Sequence, residues 1–247
     1  MSIIYLDAGH GGAQTGASTV YGGKTYYEKD FNLKIILRVR DFLKTVKPLP
    51  AIYLWRDTDV NGNLYTRGQD AKSKNSDVFV SVHNNSGVSG ASGTETLYPK
   101  DFTPGHEVGQ QFASSIQATF IGYMNSRGWG IVNRGITIWT NSTAELGVFQ
   151  GAAPIPSCLI EVAFLSSQSD MQKLLNPDFI DDSAYAIALG IVKWLNSHNN
   201  AGLSDPLREP IPAPLEEKSL NIAGILIPAI LIGGVAFIAY YFFVRRK

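Results

Sequence analysis

The sequence predicts an α/β domain with a mixed, largely parallel sheet flanked by helices, followed by a proline-rich stalk and one transmembrane helix. Three observations predict it. Strand-like and helix-like segments alternate through residues 1–198, prolines then recur every few residues, and an uncharged apolar run at 220–244 precedes a terminal Arg-Arg-Lys.

The first strand is IIYLD at 3–7, a short apolar run that stops at glycines. Residues 29–46 place Phe31, Ile35, Val39, Phe42 and Leu43 on one face, as an amphipathic helix requires, and Pro48 and Pro50 end it. AIYLW at 51–55 is the next strand, and residues 63–76 form a helix. DVFVSVHNN at 77–85 is the most strand-like piece of the chain, and TETLYP at 94–99 follows it. Helical periodicity returns at 105–122 through Val108, Phe112, Ile116 and Phe120. Residues 123–153 are rich in glycine and carry only one legible strand, Ile136 to Trp139. SCLIE at 157–161 is the last strand, and 183–197 is a helix facing the sheet through Ile187, Ile191 and Leu195. No internal repeat is visible.

Beyond the domain, prolines at 206, 210, 212 and 214 make residues 199–219 a semi-rigid stalk. Residues 220–244 would span about 37 Å as a helix, enough for a hydrocarbon layer of roughly 30 Å. Residues 245–247 form a basic tail. Lipid is thus an expected partner of 220–244, and the positive tail belongs on the cytoplasmic side. MSIIYLDAGHGG has neither a basic leader nor a long apolar run, so no signal peptide is expected.

Charge excludes one function class. The 21 basic residues equal the 21 acidic ones, and setting aside the three of the tail leaves 18 against 21, a net charge of −3. That balance gives no reason to bind nucleic acid. Cys158 is the single cysteine, so no intrachain disulfide can form, and its apolar neighbours point to a buried structural thiol.

Four side chains recur at one kind of place. His10 follows the first strand, His83 and Glu161 end two later strands, and Glu28 precedes the first long helix. In open α/β sheets the crevice beyond the carboxyl ends of the strands is the usual ligand site, so these segments can converge on one pocket. Two imidazoles and a carboxylate form a ligand set for catalytic zinc, with a fourth position left open. Other readings exist: His10 as a loop histidine, His83 as a satisfied histidine at a strand end, Glu28 as an acid favoured by a helix dipole. Asp7 could fix the tautomer of a ligand imidazole or cap a turn. Glu161 lies between SCLI and VAF, where an unpaired charge is expensive; a metal, a cation or a raised pKa would account for it, and the last suits a general base.

The segments LDAGHGG, YYEKDFNL, VFVSVHNN and PSCLIEVAFLSS, in that order over about residues 1–197, resemble the motifs of the zinc-dependent N-acetylmuramoyl-L-alanine amidases. These are the type 3 amidase domains of bacterial cell-wall hydrolases and phage endolysins. The resemblance implies His10, Glu28 and His83 as zinc ligands, Glu161 as the catalytic glutamate, peptidoglycan as substrate, and structural or substrate-proximal roles for Arg56 and Arg67. Val162, Ala163 and Ser167 depart from the glycine and asparagine usual around that glutamate. No long insertion separates Glu28 from His83, and no wall-binding repeat follows the domain.

Together with the apolar run and the missing leader, this implies a single-pass protein in the membrane of a membrane-containing phage, acting as the virus enters or leaves its host. Capsid or other virion membrane proteins would then be partners. The alternatives are a bacterial inner-membrane enzyme with its domain facing the wall, a non-hydrolytic peptidoglycan-binding module, and a structural virion membrane protein.

Overall fold

The computed structural model describes residues 1–101, 103–138 and 146–208, together with the backbone of 220–222 and 225–227. Two compact units divide the chain at Arg208 and Glu209.

In the first unit a six-stranded sheet is built from β1 (Ile3–Ala8), β4 (Ala51–Leu54), β5 (Val78–Asn85), β6 (Thr94–Tyr98), β7 (Asn133–Ile138) and β8 (Ser157–Phe164). Its strand order is β4-β1-β5-β8-β6-β7. The first four are mutually parallel, β6 runs antiparallel to β8, and β7 is parallel to β6. The sheet is therefore mixed and largely parallel, as the alternation of elements predicts.

Both faces of the central strands are covered, which is why they read as nearly continuous apolar runs. Helices α1 (Glu28–Leu43), α3 (His106–Ser126) and α6 (Pro177–Asn199) lie against one face, with Ile4, Leu6, Val78, Val80, Val82 and Ile160 buried beneath them. On the other face, α2 (Leu64–Ser73) and α4 (Gly147–Ala152) pack together over Tyr5, Phe79, Leu97 and Leu159. The alternation of Ile4, Tyr5 and Leu6 between the two clusters is the period-2 geometry of a strand.

Several elements go beyond the sequence reading. Residues 18–27 form a hairpin of β2 (Ser18–Tyr21) and β3 (Lys24–Tyr27), turning at Gly22 and Gly23, whose φ values of 57° and 77° suit a two-residue turn that side chains resist. Helix α4 and α5 (Gln168–Leu174) are too short for their periodicity to stand out in the sequence. Strand β8 runs on to Phe164. Helix α6 begins at Pro177, which needs no backbone donor there, after Asn176 caps Asp178 N. After α6, residues 201–208 pack back onto the domain although the sequence reading gives them to the stalk. Leu203 is buried, Leu207 N donates to Thr45 Oγ1 at 2.7 Å, and the Arg208 guanidinium pairs with the buried carboxylate of Asp182.

In the second unit, β9 (Leu220–Ile222) and β10 (Ile225–Ile227) pair antiparallel. The sequence places a membrane-spanning helix over 220–244; these six described residues are extended instead, a conformation that β-branched isoleucine favours. The rest of that run and the basic tail lie outside the described residues. Among the described residues, no helix is long and apolar enough to cross a membrane.

Candidate metal centre and catalytic site

The site forms where β1, β5 and β8 end. Parallel pairing sets Asp7 beside Ser81 and Ala8 beside Val82, so the loop leaving β1 starts next to His83 on β5. Glu28 opens α1 at the exit of the β2–β3 hairpin, where its backbone N–H donates to Ala17 O at 2.9 Å. The side chains of His10, Glu28 and His83 converge: one ligand atom from each lies within 4.8 Å of the others. Glu28 Oε2 is 3.2 Å from His10 Nε2, and Glu28 Oε1 is 2.8 Å from His83 Nδ1. The two rings meet edge to face with centroids 4.9 Å apart.

Neighbouring groups hold this cluster. Asn32, one turn after Glu28 on α1, donates to Glu28 Oε1 at 3.2 Å and to Gly9 O at 3.1 Å, and accepts from Asn84 Nδ2 at 2.8 Å. Ala17 N donates to Glu28 Oε2 at 2.8 Å. Gly9 is required for close approach, because a Cβ there would sit 2.2 Å from His83 Nε2. His10 itself holds φ at 60°, a left-handed conformation unusual for a residue with a side chain. Two buried arginines fix that strained loop from behind. Arg56 donates to Ala8 O, Gly9 O and Lys29 O, and Arg67 to Ala8 O and His10 O.

Burial alone would raise the Glu28 pKa, but hydrogen bonds from His10 and His83 outweigh it and hold the carboxyl far below the ordinary range. A carboxylate kept ionised between two imidazole nitrogens is the donor set a divalent cation requires. Glu161 has the opposite character. It is the register partner of His83 across β5–β8 and of Glu95 across β8–β6. Its Oε2 is shielded and has no hydrogen-bond partner among the described residues. Burial, and then the charges of Glu28 and Glu95, push its pKa well above the usual carboxylate value. A proton-hungry carboxyl beside a candidate cation site can take a proton from water and give it up again.

Asp7 does not orient a ligand imidazole. It is fully buried and accepts from Arg67 Nη1 at 3.2 Å and Ser81 Oγ at 2.7 Å, so it serves as counter-ion to the arginine behind the loop. Burial raises the Cys158 thiol far above its ordinary range, which suits a structural residue and not a nucleophile.

A family model for N-acetylmuramoyl-L-alanine amidases matches residues 4–193 of this chain. The chain belongs to that amidase family. An endolysin of Bacillus phage SPP1 is 32% identical over 220 residues, covering 89% of this chain and 76% of its own. The N-acetylmuramoyl-L-alanine amidase LytC of Bacillus subtilis is 31% identical over 77% of this chain but only 35% of its own length. The crystal structure of an N-acetylmuramoyl-L-alanine amidase from Clostridium difficile 630 superimposes with a TM-score of 0.69 at 29% identity, covering 80% of this chain and 98% of the other. The catalytic domain of CwlV, an amidase from Bacillus (Paenibacillus) polymyxa, superimposes with a TM-score of 0.67 at 32% identity. The chain is an N-acetylmuramoyl-L-alanine amidase, a hydrolase of peptidoglycan.

Two residues on the strands beyond Glu161 escaped the sequence reading. Glu95 on β6 lies opposite Glu161, accepts from Asn85 Nδ2 at 2.7 Å, and pairs with Arg134 Nε on β7 at 3.3 Å. A lone acid in the strand TETLY was a weak signal that pointed to it. For Arg134, in a glycine-rich stretch, the sequence offered none.

Proposed function

We propose that this amidase uses one zinc ion, held by His10, Glu28 and His83, to cleave the amide between N-acetylmuramic acid and the L-alanine of the stem peptide. The convergence of those three side chains beside Glu161 carries the reading. When bound, zinc polarises the scissile carbonyl and makes a water acidic enough to attack near neutral pH. The chain's own groups do the rest. Glu28 stays ionised through its imidazole contacts, and Asn32 and the Ala17 N–H fix its two oxygens. Glu161 takes the proton from the attacking water and returns it to the departing alanine nitrogen, a transfer its raised proton affinity favours. No covalent intermediate with the protein is involved.

The enzyme is proposed to be tethered. Residues 220–244 carry no charge and precede Arg245, Arg246 and Lys247, which supports a membrane anchor with its positive end on the cytoplasmic side. Prolines at 210, 212 and 214 support a semi-rigid spacer over residues 209–219, which could reach at most about 40 Å fully extended. We place the enzyme in the membrane of a membrane-containing phage, where it opens nearby wall during entering or leaving the host, with virion membrane proteins as neighbours.

Release of stem peptides from purified peptidoglycan tests the chemistry. A chelator should abolish release and added zinc restore it; Glu161→Gln should bind one zinc per chain yet release nothing, whereas His83→Ala should lose the metal. Full activity of either variant refutes the assignment. Protection of residues 1–208 from protease in intact particles, and its loss in detergent, tests the tether.

A further inference from the structure

His83 on β5, Glu161 on β8, Glu95 on β6 and Arg134 on β7 form one row across four adjacent strands. The row starts at the candidate metal and ends at a cation. A break in the β6–β7 pairing puts Arg134 there: Thr94 pairs with Asn133 and Thr96 with Ile136, so Arg134 and Gly135 together oppose Glu95. Such an extra residue re-aims a side chain, and here the Arg134 guanidinium lies over the Phe164 ring, 4.9 Å from its centroid. Glu95 engages only Nε, at 3.3 Å, and the side chain remains 39% exposed.

The other cations near the site are spent. Arg56 and Arg67 are buried behind the His10 loop on backbone carbonyls, and Lys29 pairs with Asp59 at 2.5 Å. A guanidinium held through Nε and by stacking keeps the edge formed by its two terminal nitrogens free for a second planar acceptor, the geometry suited to a carboxylate.

Resting on the amidase reading, the geometry points to Arg134 as the residue that reads a carboxylate of the stem peptide one residue beyond the scissile amide. In peptidoglycan the L-alanine is followed by γ-linked D-glutamate, whose α-carboxyl is free in some walls and amidated in others. That carboxyl lies about 4–7 Å along the chain from the scissile carbonyl. Glu161 and the backbone of Arg134 are two strand spacings apart, roughly 10 Å, and the arginine side chain reaches back across much of that gap. Glu95 is the positioning residue that holds the guanidinium at the correct angle. The consequence is a preference for walls whose glutamate is not amidated.

The test compares two soluble muramoyl peptides that differ only in this group, free α-carboxylate against α-amide, with the zinc-loaded full chain. The wild type should favour the carboxylate form by about tenfold in kcat/KM. Arg134→Gln should bring that ratio to within about twofold of one, mainly through KM for the acid, and Arg134→Lys should keep a part of it. Zinc content and thermal midpoint of each variant establish that it is folded. A wild-type ratio near one, or a ratio unchanged in Arg134→Gln, overturns the assignment while leaving the amidase reading intact. Cleavage of neither peptide by the wild type overturns the amidase reading, and this assignment with it.

Discussion

Replacing Gly9 by alanine should empty the metal site without unfolding the protein. The added Cβ would lie 2.2 Å from His83 Nε2, 2.3 Å from Cε1 and 2.6 Å from Cδ2. Ordinary carbon contacts need about 3.5 Å, so one partner must retreat by about 1.3 Å. The backbone cannot, because Gly9 N donates to Val82 O at 3.0 Å while Gly9 O accepts from Asn32 and from Arg56 at 3.1 and 3.0 Å. The imidazole therefore swings, and its 2.8 Å approach to Glu28 is lost. Zinc ligation tolerates only about 0.2 Å of error, so the proposed zinc site would fall to two ligands. Zinc affinity measured by competition with a chromophoric chelator should fall at least about 100-fold, roughly 2.7 kcal/mol. Overpacking by one methyl should cost about 1–3 kcal/mol, a fall in Tm of some 2–12 °C. Gly122→Ala, on α3 where an added Cβ meets nothing within 4 Å, is the control and should leave zinc affinity alone. Wild-type zinc affinity in Gly9→Ala would refute the reasoning, since it requires His83 to be a ligand pinned against that glycine.

Three further outcomes follow from the same contacts. Arg67→Met leaves the buried Asp7 carboxylate with only Ser81 and should destabilise the fold by about 3–5 kcal/mol; chemical denaturation showing less than 1 kcal/mol would mean that Asp7 is not buried as a charge. In the metal-free protein the folded state keeps the Glu161 proton at pH values where the unfolded chain, with a pKa near 4.3, has lost it. The folded state is favoured most below that value and loses ground as pH rises towards the raised folded value, so urea melts at pH values rising from about 4 should show Glu161→Gln gaining on wild type, and parallel curves would contradict the burial-driven shift. Asp182→Asn weakens the anchor that Arg127, Trp129 and Arg208 share, and should expose residues 201–208 to limited proteolysis at least tenfold faster; an unchanged digestion rate would show that Asp182 does not hold that segment.

The elements that bury a regular face were legible in the sequence. VFVSV became the buried strand beside β1, and the Phe31, Ile35, Val39, Phe42 stripe became the inner face of α1, because periodicity and burial are the same fact seen twice. The hairpin at 18–27 carries a Gly-Gly turn between two runs of only four residues each, too short for their alternation to stand out. Residues 201–208 looked like stalk because proline content reports backbone stiffness and says nothing of docking. The role offered for Asp7 failed because its partner, Arg67, stands sixty residues away on α2, and no local pattern announces such a pair.

By itself the sequence determined which chemistry this chain carries: two imidazoles and two carboxylates, each at the end of a segment whose period fixed it as strand or helix. The sequence left several readings of the two carboxylates open, and tertiary structure decided between them. Glu28 meets two ring nitrogens and stays charged, while Glu161 lies in the sheet between His83 and Glu95, with its Oε2 unpartnered among the described residues and its proton affinity raised. Proton affinity depends on the groups within a few ångströms, and those arrive from strands far apart in the chain. Strand pairing likewise brought Arg134 to the end of that row, where register, and no motif, sets what it faces.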